Sequence, residues 1–211
     1  MVMEAHDAPE FRAMVNRADL VTPDGMPLVW ALHWLGVKEA SRVDGSTLTL
    51  HVCEAAAKVG APIALYGGSD ETLAAFAAFA RRQFPGIKIS AMISPPFRRL
   101  TEEEHQQMLR QLAESGARIV LVALGCPKQE TWMAQNYLRL QAVLIGIGAA
   151  LDFHAGRIAR APEWMQRIGL EWLFRLMMEP GRLWRRYARH NPRFIGLFML
   201  QLLRLGRFDE K

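Results

Sequence analysis

Cysteine is scarce, with only Cys53 and Cys126 among 211 residues. Two cysteines make no disulfide framework, so a packed core must carry stability and a reducing, cytoplasmic setting is expected. No apolar run reaches the roughly 18 to 20 residues that span a bilayer. The longest candidate, Phe194 to Leu205, is interrupted by Gly196, Gln201 and Arg204. The start carries Glu4, Asp7 and Glu10 instead of a basic segment and an apolar run, so no signal peptide is expected. Internal repeats and low-complexity segments are missing. So is a G-x-G-x-x-G turn after the first strand, which speaks against NAD. No His, Cys or carboxylate cluster has metal-ligand spacing and no D-x-D pair offers itself to Mg²⁺, so no metal or other cofactor is expected.

Hydrophobic residues make up 51% of the chain and charged residues 22%, enough for a full core and too apolar for disorder. The net charge of +5 is unevenly placed. From Arg157 onward there are 12 Arg or Lys against 5 Asp or Glu, a net of +7; residues 1 to 156 hold 14 against 16, a net of −2. A near-neutral body thus carries a basic C-terminal quarter, and the asymmetry points to an anionic partner: membrane, phosphate or nucleic acid.

Apolar runs with β character alternate with helical patterns. Ala18 to Thr22 reads as a strand and Met26 to Leu35 as a helix. Gly45 to Val59 reads as a helix stopped by Gly60. Pro62 to Tyr66, Ile87 to Ile93, Arg118 to Leu124 and Ala142 to Ile147 read as buried strands. Ser69 caps a helix to about Phe84, with Asp70 and Glu71 at its positive end. Thr101 and Glu104 form a capping box for a helix to Ser115. Pro127 to Leu138 is a helix with proline in its first turn. Strands apolar on both faces, alternating with helices, predict an α/β fold: a parallel, Rossmann-like sheet with helices on both faces. The boundary is expected near Gly156 to Pro162. Residues 1–156 then form the Rossmann-like catalytic domain, and residues 157–211 a basic, amphipathic helical appendage.

Open parallel sheets bind ligands beyond the carboxyl ends of their strands, so the residues there carry the chemical interest. Asp24 is either a general base for an acceptor hydroxyl or a turn aspartate capping the next helix. Gly67-Gly68-Ser69 either holds phosphate on backbone N–H groups or is an ordinary turn. Lys128, Gln129 and Glu130 occupy a first helical turn at the ligand edge. A lysine opposes the dipole there, which marks either function or a solvated surface residue. Cys126 has no histidine fixed beside it and reads as a small semi-buried filler. Asp152 suits a ribose or sugar hydroxyl, or else a cap or an ion pair with Arg157. His154 reads as structural.

In the tail, Arg175, Arg182, Arg185, Arg186 and Arg189 recur at helical spacings beside Trp172, Phe174, Trp184, Phe194 and Phe198. This composition suits a helix lying on anionic lipid, or a terminal hairpin packed on the body with solvated arginines. The apolar run after Phe194 suits lipid or a partner helix better than a base-stacking groove, so nucleic acid is not expected.

Taken in order, several stretches resemble one family. They are Ala18-Asp19-Leu20-Val21-Thr22-Pro23-Asp24-Gly25-Met26-Pro27, Arg42-Val43-Asp44-Gly45-Ser46, Leu65-Tyr66-Gly67-Gly68 and Pro95-Pro96-Phe97. Then come Gly125-Cys126-Pro127-Lys128-Gln129-Glu130, Gly146 to Asp152, Arg160-Ala161-Pro162-Glu163-Trp164-Met165 and Gly169-Leu170-Glu171-Trp172-Leu173-Phe174-Arg175-Leu176, followed by Glu179-Pro180 and Arg182. The ordered set resembles the WecG/TagA/CpsF glycosyltransferases over nearly the whole chain.

The resemblance implies a Rossmann-like fold and an inverting, metal-independent transfer for surface polysaccharides. The implied donor is a UDP-sugar carrying N-acetylmannosamine, its uronic acid or glucuronic acid. The implied acceptor is a glycan on a polyprenyl diphosphate, reached from the inner face of the plasma membrane. Asp24 would be the base. Arg42, Gln129 and Asp152 would line the donor pocket, and Arg175, Arg182 and Arg185 would close over the site and reach the acceptor diphosphate. Self-association is also implied. Family members open with a strand ending in a T-x-N motif. Here 23 residues precede Asp24 and read as the helix after that strand, so the resemblance implies that this strand is missing. The rival expectation is a non-catalytic UDP-sugar or lipid-diphosphate binding protein.

Overall fold

A computed structural model describes residues 1–203, except for the side chain of Arg182. In chain order the elements are α1 (Val2–Asp7), α2 (Pro9–Asn16), α3 (Met26–Trp34), α4 (Gly45–Val59), β1 (Pro62–Tyr66), α5 (Asp70–Gln83), β2 (Lys88–Ile93) and α6 (Glu102–Glu114). They continue with β3 (Ile119–Val122), α7 (Lys128–Asn136) with a 3₁₀ turn at Tyr137–Arg139, β4 (Val143–Gly146), α8 (Ala150–His154), α9 (Glu163–Arg167), α10 (Glu171–Met178) and α11 (Pro180–Leu202). They gather into two compact units: Ala13–Asp19 with Gly45–Ala159, and Met1–Arg12 with Leu20–Asp44 and the chain from Arg160 onward.

The first unit holds the sheet, in the order β2-β1-β3-β4 with every pairing parallel. Alternate residues of its strands feed two cores. Ile63 and Leu65 of β1 and Leu121 of β3 face Cys53, Ala56, Leu73, Phe76, Ala80, Ala150 and Leu151 of α4, α5 and α8. Ala64, Tyr66, Val120 and Val122 face Leu109, Leu112 and Trp132 of α6 and α7. Tyr66 stacks on Trp132 with ring centroids 4.3 Å apart, a pairing worth about 1 kcal/mol beyond the area it buries. This three-layer sandwich is the Rossmann-like α/β fold that the alternation of elements predicts. Burial pushes the Cys53 thiol up to about 11, so it behaves as a small apolar filler rather than a nucleophile.

Two expectations need correcting. The central strands are apolar on both faces, but β2, which among the described residues stands at the edge of the sheet, alternates, with Lys88, Ser90 and Met92 exposed. Ala18 to Thr22 forms no strand. Leu20 is 78% exposed; the Ala18 N–H donates to Val15 O at 3.1 Å, the Thr22 hydroxyl to Val43 O at 3.3 Å, and just beyond the segment the Val43 N–H donates to Pro23 O at 3.1 Å. β propensity without a neighbouring ladder leaves extended coil.

Helix ends follow local chemistry. Ser69 Oγ accepts the Thr72 N–H at 3.2 Å. Thr101 and Glu104 form the reciprocal box at 3.2 and 2.9 Å, and Arg98 grips the Glu104 carboxylate through both terminal nitrogens at 2.6 and 2.7 Å. In the second unit α1 is pinned to α11 by a two-bond Asp7–Arg193 pair at 2.6 and 2.9 Å. Trp34 at the end of α3 stacks on Phe198, which stacks on Phe194. Met3, Val29, Met165 and Leu183 are buried.

Candidate active site

In the sheet-bearing unit the carboxyl ends of the strands are tied tightly together. Gly67, with φ of +112°, donates its N–H to Ile93 O at 2.9 Å, and Ser94 Oγ donates to Gly68 O at 2.7 Å. A Cβ on Gly67 would sit 2.6 Å from Ala123 O, so only glycine lets β1 and β3 end side by side here. The turn leads into the capped start of α5, where N–H groups and the helix dipole favour an anion.

Asp152 takes neither of its bland roles. Its Oδ1 accepts the Thr72 hydroxyl at 3.0 Å, and Thr72 Oγ1 in turn accepts from Ser69 Oγ at 3.3 Å. The carboxylate therefore stands at the end of a short relay beside the start of α5. Gln129 is buried and acts as a bracket. Its Oε1 accepts the Gly148 N–H at 3.0 Å and its Nε2 donates to Glu130 Oε1 at 3.0 Å. The other carboxylate oxygen of Glu130 is buried without a hydrogen-bond partner. Lys128 is exposed at the positive end of α7, and Cys126 is half-buried. His154 is structural. Its Nε2 lies 2.9 Å from Ser46 Oγ and 3.0 Å from the Ser46 carbonyl, and its ring stacks on Phe79.

The second unit holds Asp24 within a charged cluster. Arg42 is its hub: Nε donates to the backbone O of Asp24 at 2.7 Å, Nη1 to Gln166 Oε1 at 3.0 Å and Nη2 to Glu171 Oε2 at 2.6 Å. Arg42 Nη2 also lies 3.7 Å from Asp44 Oδ2, and Arg160 donates to Asp44 Oδ1 at 2.8 Å. Gln166 is oriented in turn by donating to Ala161 O at 2.7 Å. Asp24 itself caps nothing: Gly25 is the N-cap of α3, and no side chain caps that helix. The Asp24 residue reaches solvent, yet its carboxyl is pushed above the usual carboxylate range. Loss of water around the carboxyl is the largest cause, and the negative charges of Glu171 and Asp44 add to it. Arg42 and Arg175 oppose the shift. A carboxylate in this setting is a better proton acceptor than an ordinary one.

The expected residues therefore fall into separate groups. Gly67, Gly68, Gln129, Glu130 and Asp152 belong to the sheet unit. Asp24, Arg42 and Arg175 come together in the other. Arg185 is exposed on α11 with its guanidinium 5.7 Å from the Trp184 ring, and Arg182 lies on the same helix with its side chain outside the described residues. Sequence reading missed Asp44, Gln166, Glu171 and Arg160 as partners. Each lies in or beside one of the recognised stretches, but nothing in a linear pattern joins residues more than 100 positions apart.

A parallel sheet with glycine turns and helix starts at its carboxyl edge makes this a Rossmann-like α/β protein. The model of the glycosyl transferase WecG/TagA/CpsF family matches residues 1–207, and the chain belongs to that family. It is accordingly a glycosyltransferase, with a sugar donor and an acceptor as its partners. Among the described residues, no helix is long and apolar enough to cross a membrane.

Proposed function

We propose that this protein is an inverting, metal-independent glycosyltransferase of surface polysaccharide biosynthesis. It moves N-acetylmannosamine, its uronic acid or glucuronic acid from a UDP-sugar to a glycan on a polyprenyl diphosphate. The observation that carries the reading is the family match together with the Asp24 carboxyl, which caps no helix and sits where protons are held more tightly than usual.

Asp24 takes the proton from an acceptor hydroxyl as that oxygen attacks the anomeric carbon. The bond from that carbon to the diphosphate oxygen breaks on the opposite face, and UDP leaves with the bonding pair. Charge grows on the leaving diphosphate, so fixed positive groups lower the barrier. The start of α5 and the tail arginines Arg175, Arg182 and Arg185 supply them in this reading. Arg42, Gly67, Gly68, Gln129, Glu130 and Asp152 hold the donor. The basic, tryptophan-bearing segment after residue 156 rests on anionic lipid at the inner face of the plasma membrane.

The test is UDP release from a panel of UDP-sugars, with a polyprenyl-diphosphate-linked acceptor and EDTA present. Release that needs both the acceptor and Asp24 supports the enzyme, and the panel names the donor. UDP-sugar binding without release under any donor and acceptor pairing favours the binding-protein alternative.

A further inference from the structure

We propose that Glu171 is a positioning residue for Asp24: it holds Arg42 against the Asp24 backbone and places a third carboxylate in the cluster around it. The inference rests on the reading of Asp24 as the base, and it reaches a residue to which that reading gives no task.

Arg42 has a rigid, planar fork, and three of its nitrogens are committed in three directions: to Asp24 O at 2.7 Å, to Gln166 at 3.0 Å and to Glu171 at 2.6 Å. The bond to Asp24 goes to the carbonyl, so Arg42 fixes the loop while leaving the carboxyl to its work. The side chains of Arg42 and Glu171 are 15% and 25% exposed, which makes this a largely dehydrated pair rather than a surface one. Gln166 and Glu171 lie on or beside α9 and α10, so these short helices set where Arg42, and through it Asp24, is held.

The groups acting on Asp24 are Arg42 and Asp44 from the segment before α4, and Glu171 and Arg175 from α10. Arg160 faces Asp44. Together with Asp24 this is three carboxylates against three guanidinium groups. Removing the Glu171 charge leaves the arginines in excess and stabilises ionised Asp24, which weakens it as a base. Glu171 is thus an anchor whose charge matters as well as its shape.

The decisive measurement is a ¹³C NMR titration of the Asp24 carboxyl in wild type and Glu171→Gln, with the resonance assigned by its loss in Asp24→Asn. Glutamine keeps an acceptor oxygen for Arg42 and removes only the charge. The titration midpoint is expected to move to lower pH, and the acid limb of the kcat/KM profile with it, while Glu171→Asp keeps the wild-type midpoint. An unmoved midpoint in folded Glu171→Gln overturns the proposal. Should that variant fail to fold, Arg42→Lys tests the other half. Lysine keeps the charge but cannot serve Asp24, Gln166 and Glu171 together, and kcat is expected to fall about a hundredfold. Unchanged kcat overturns the proposal. Normal turnover by Asp24→Asn would instead sink the base reading itself, so the two failures are distinguishable.

Discussion

Replacing Gly67 with alanine tests whether the carboxyl edge of the sheet is as close-packed as the geometry requires. Two costs add. The backbone sits at φ of +112°, where an L side chain is strained; a left-handed residue costs about 1 to 2 kcal/mol. The new Cβ would also lie 2.6 Å from Ala123 O and 2.7 Å from its carbonyl carbon. Those are backbone atoms of β3's continuation and cannot swing aside, and overpacking of this kind costs about 1 to 3 kcal/mol. The sum is about 2 to 5 kcal/mol. Gly86 supplies the control: its φ is +89°, and nothing lies within 4 Å of the Cβ it would gain, so only the strain remains. Urea unfolding of Gly67→Ala and Gly86→Ala, with wild type beside them, separates the two costs. Gly67→Ala should be the less stable variant by about 1 to 3 kcal/mol. Equal losses would refute the close contact between the ends of β1 and β3.

Other expectations follow from the same structure. Asp24→Asn should lower kcat by about 10² to 10⁴ in the UDP-release assay, the usual cost of losing a general base. The same change should raise thermal stability at neutral pH. A carboxyl with a raised folded-state pKa contributes stability below its unfolded value and loses it as pH rises through the folded one, so the gain should vanish in acid on a pH series of melting curves. Glu104 behaves in the opposite way. Arg98 and the capping bonds hold its carboxyl down at about 2, so its contribution is present above its ordinary value and lost as pH falls toward 2; Arg98→Ala should return the carboxyl toward that ordinary value in an NMR titration. Arg185→Glu with Arg186→Glu should weaken flotation with phosphatidylserine vesicles at least tenfold, since each cation near such a surface contributes about 1 kcal/mol. Unchanged flotation would remove the membrane from the proposal.

The legible part of this fold was its local chemistry. The span of α4 from Gly45 to Val59, β1 from Pro62 to Tyr66, the Ser69 cap and the Thr101–Glu104 box were all readable, because caps, glycine stops and short apolar runs act within a few residues. Ala18 to Thr22 misled because β propensity says nothing of whether a partner strand is near. The Asp24 cluster was half legible. Its members lie in recognisable stretches, but the bond joining Arg42 to Glu171 spans 129 positions, and only folding brings such residues together. The grouping of Leu20–Asp44 with the chain after Arg160 carries no periodic signal at all.

The alternating strand β2 bears on solubility. Among the described residues it pairs with β1 alone, and an edge with main-chain groups outside a ladder is a template for the same strand of another molecule. The strand begins with exposed Lys88, and its pairing with β1 slips register between Ile63 and Ala64. A charge and an irregular ladder both discourage edge-to-edge stacking of copies. At the start of β2, Lys88 sets a charge that a second copy stacking on this strand would have to bury.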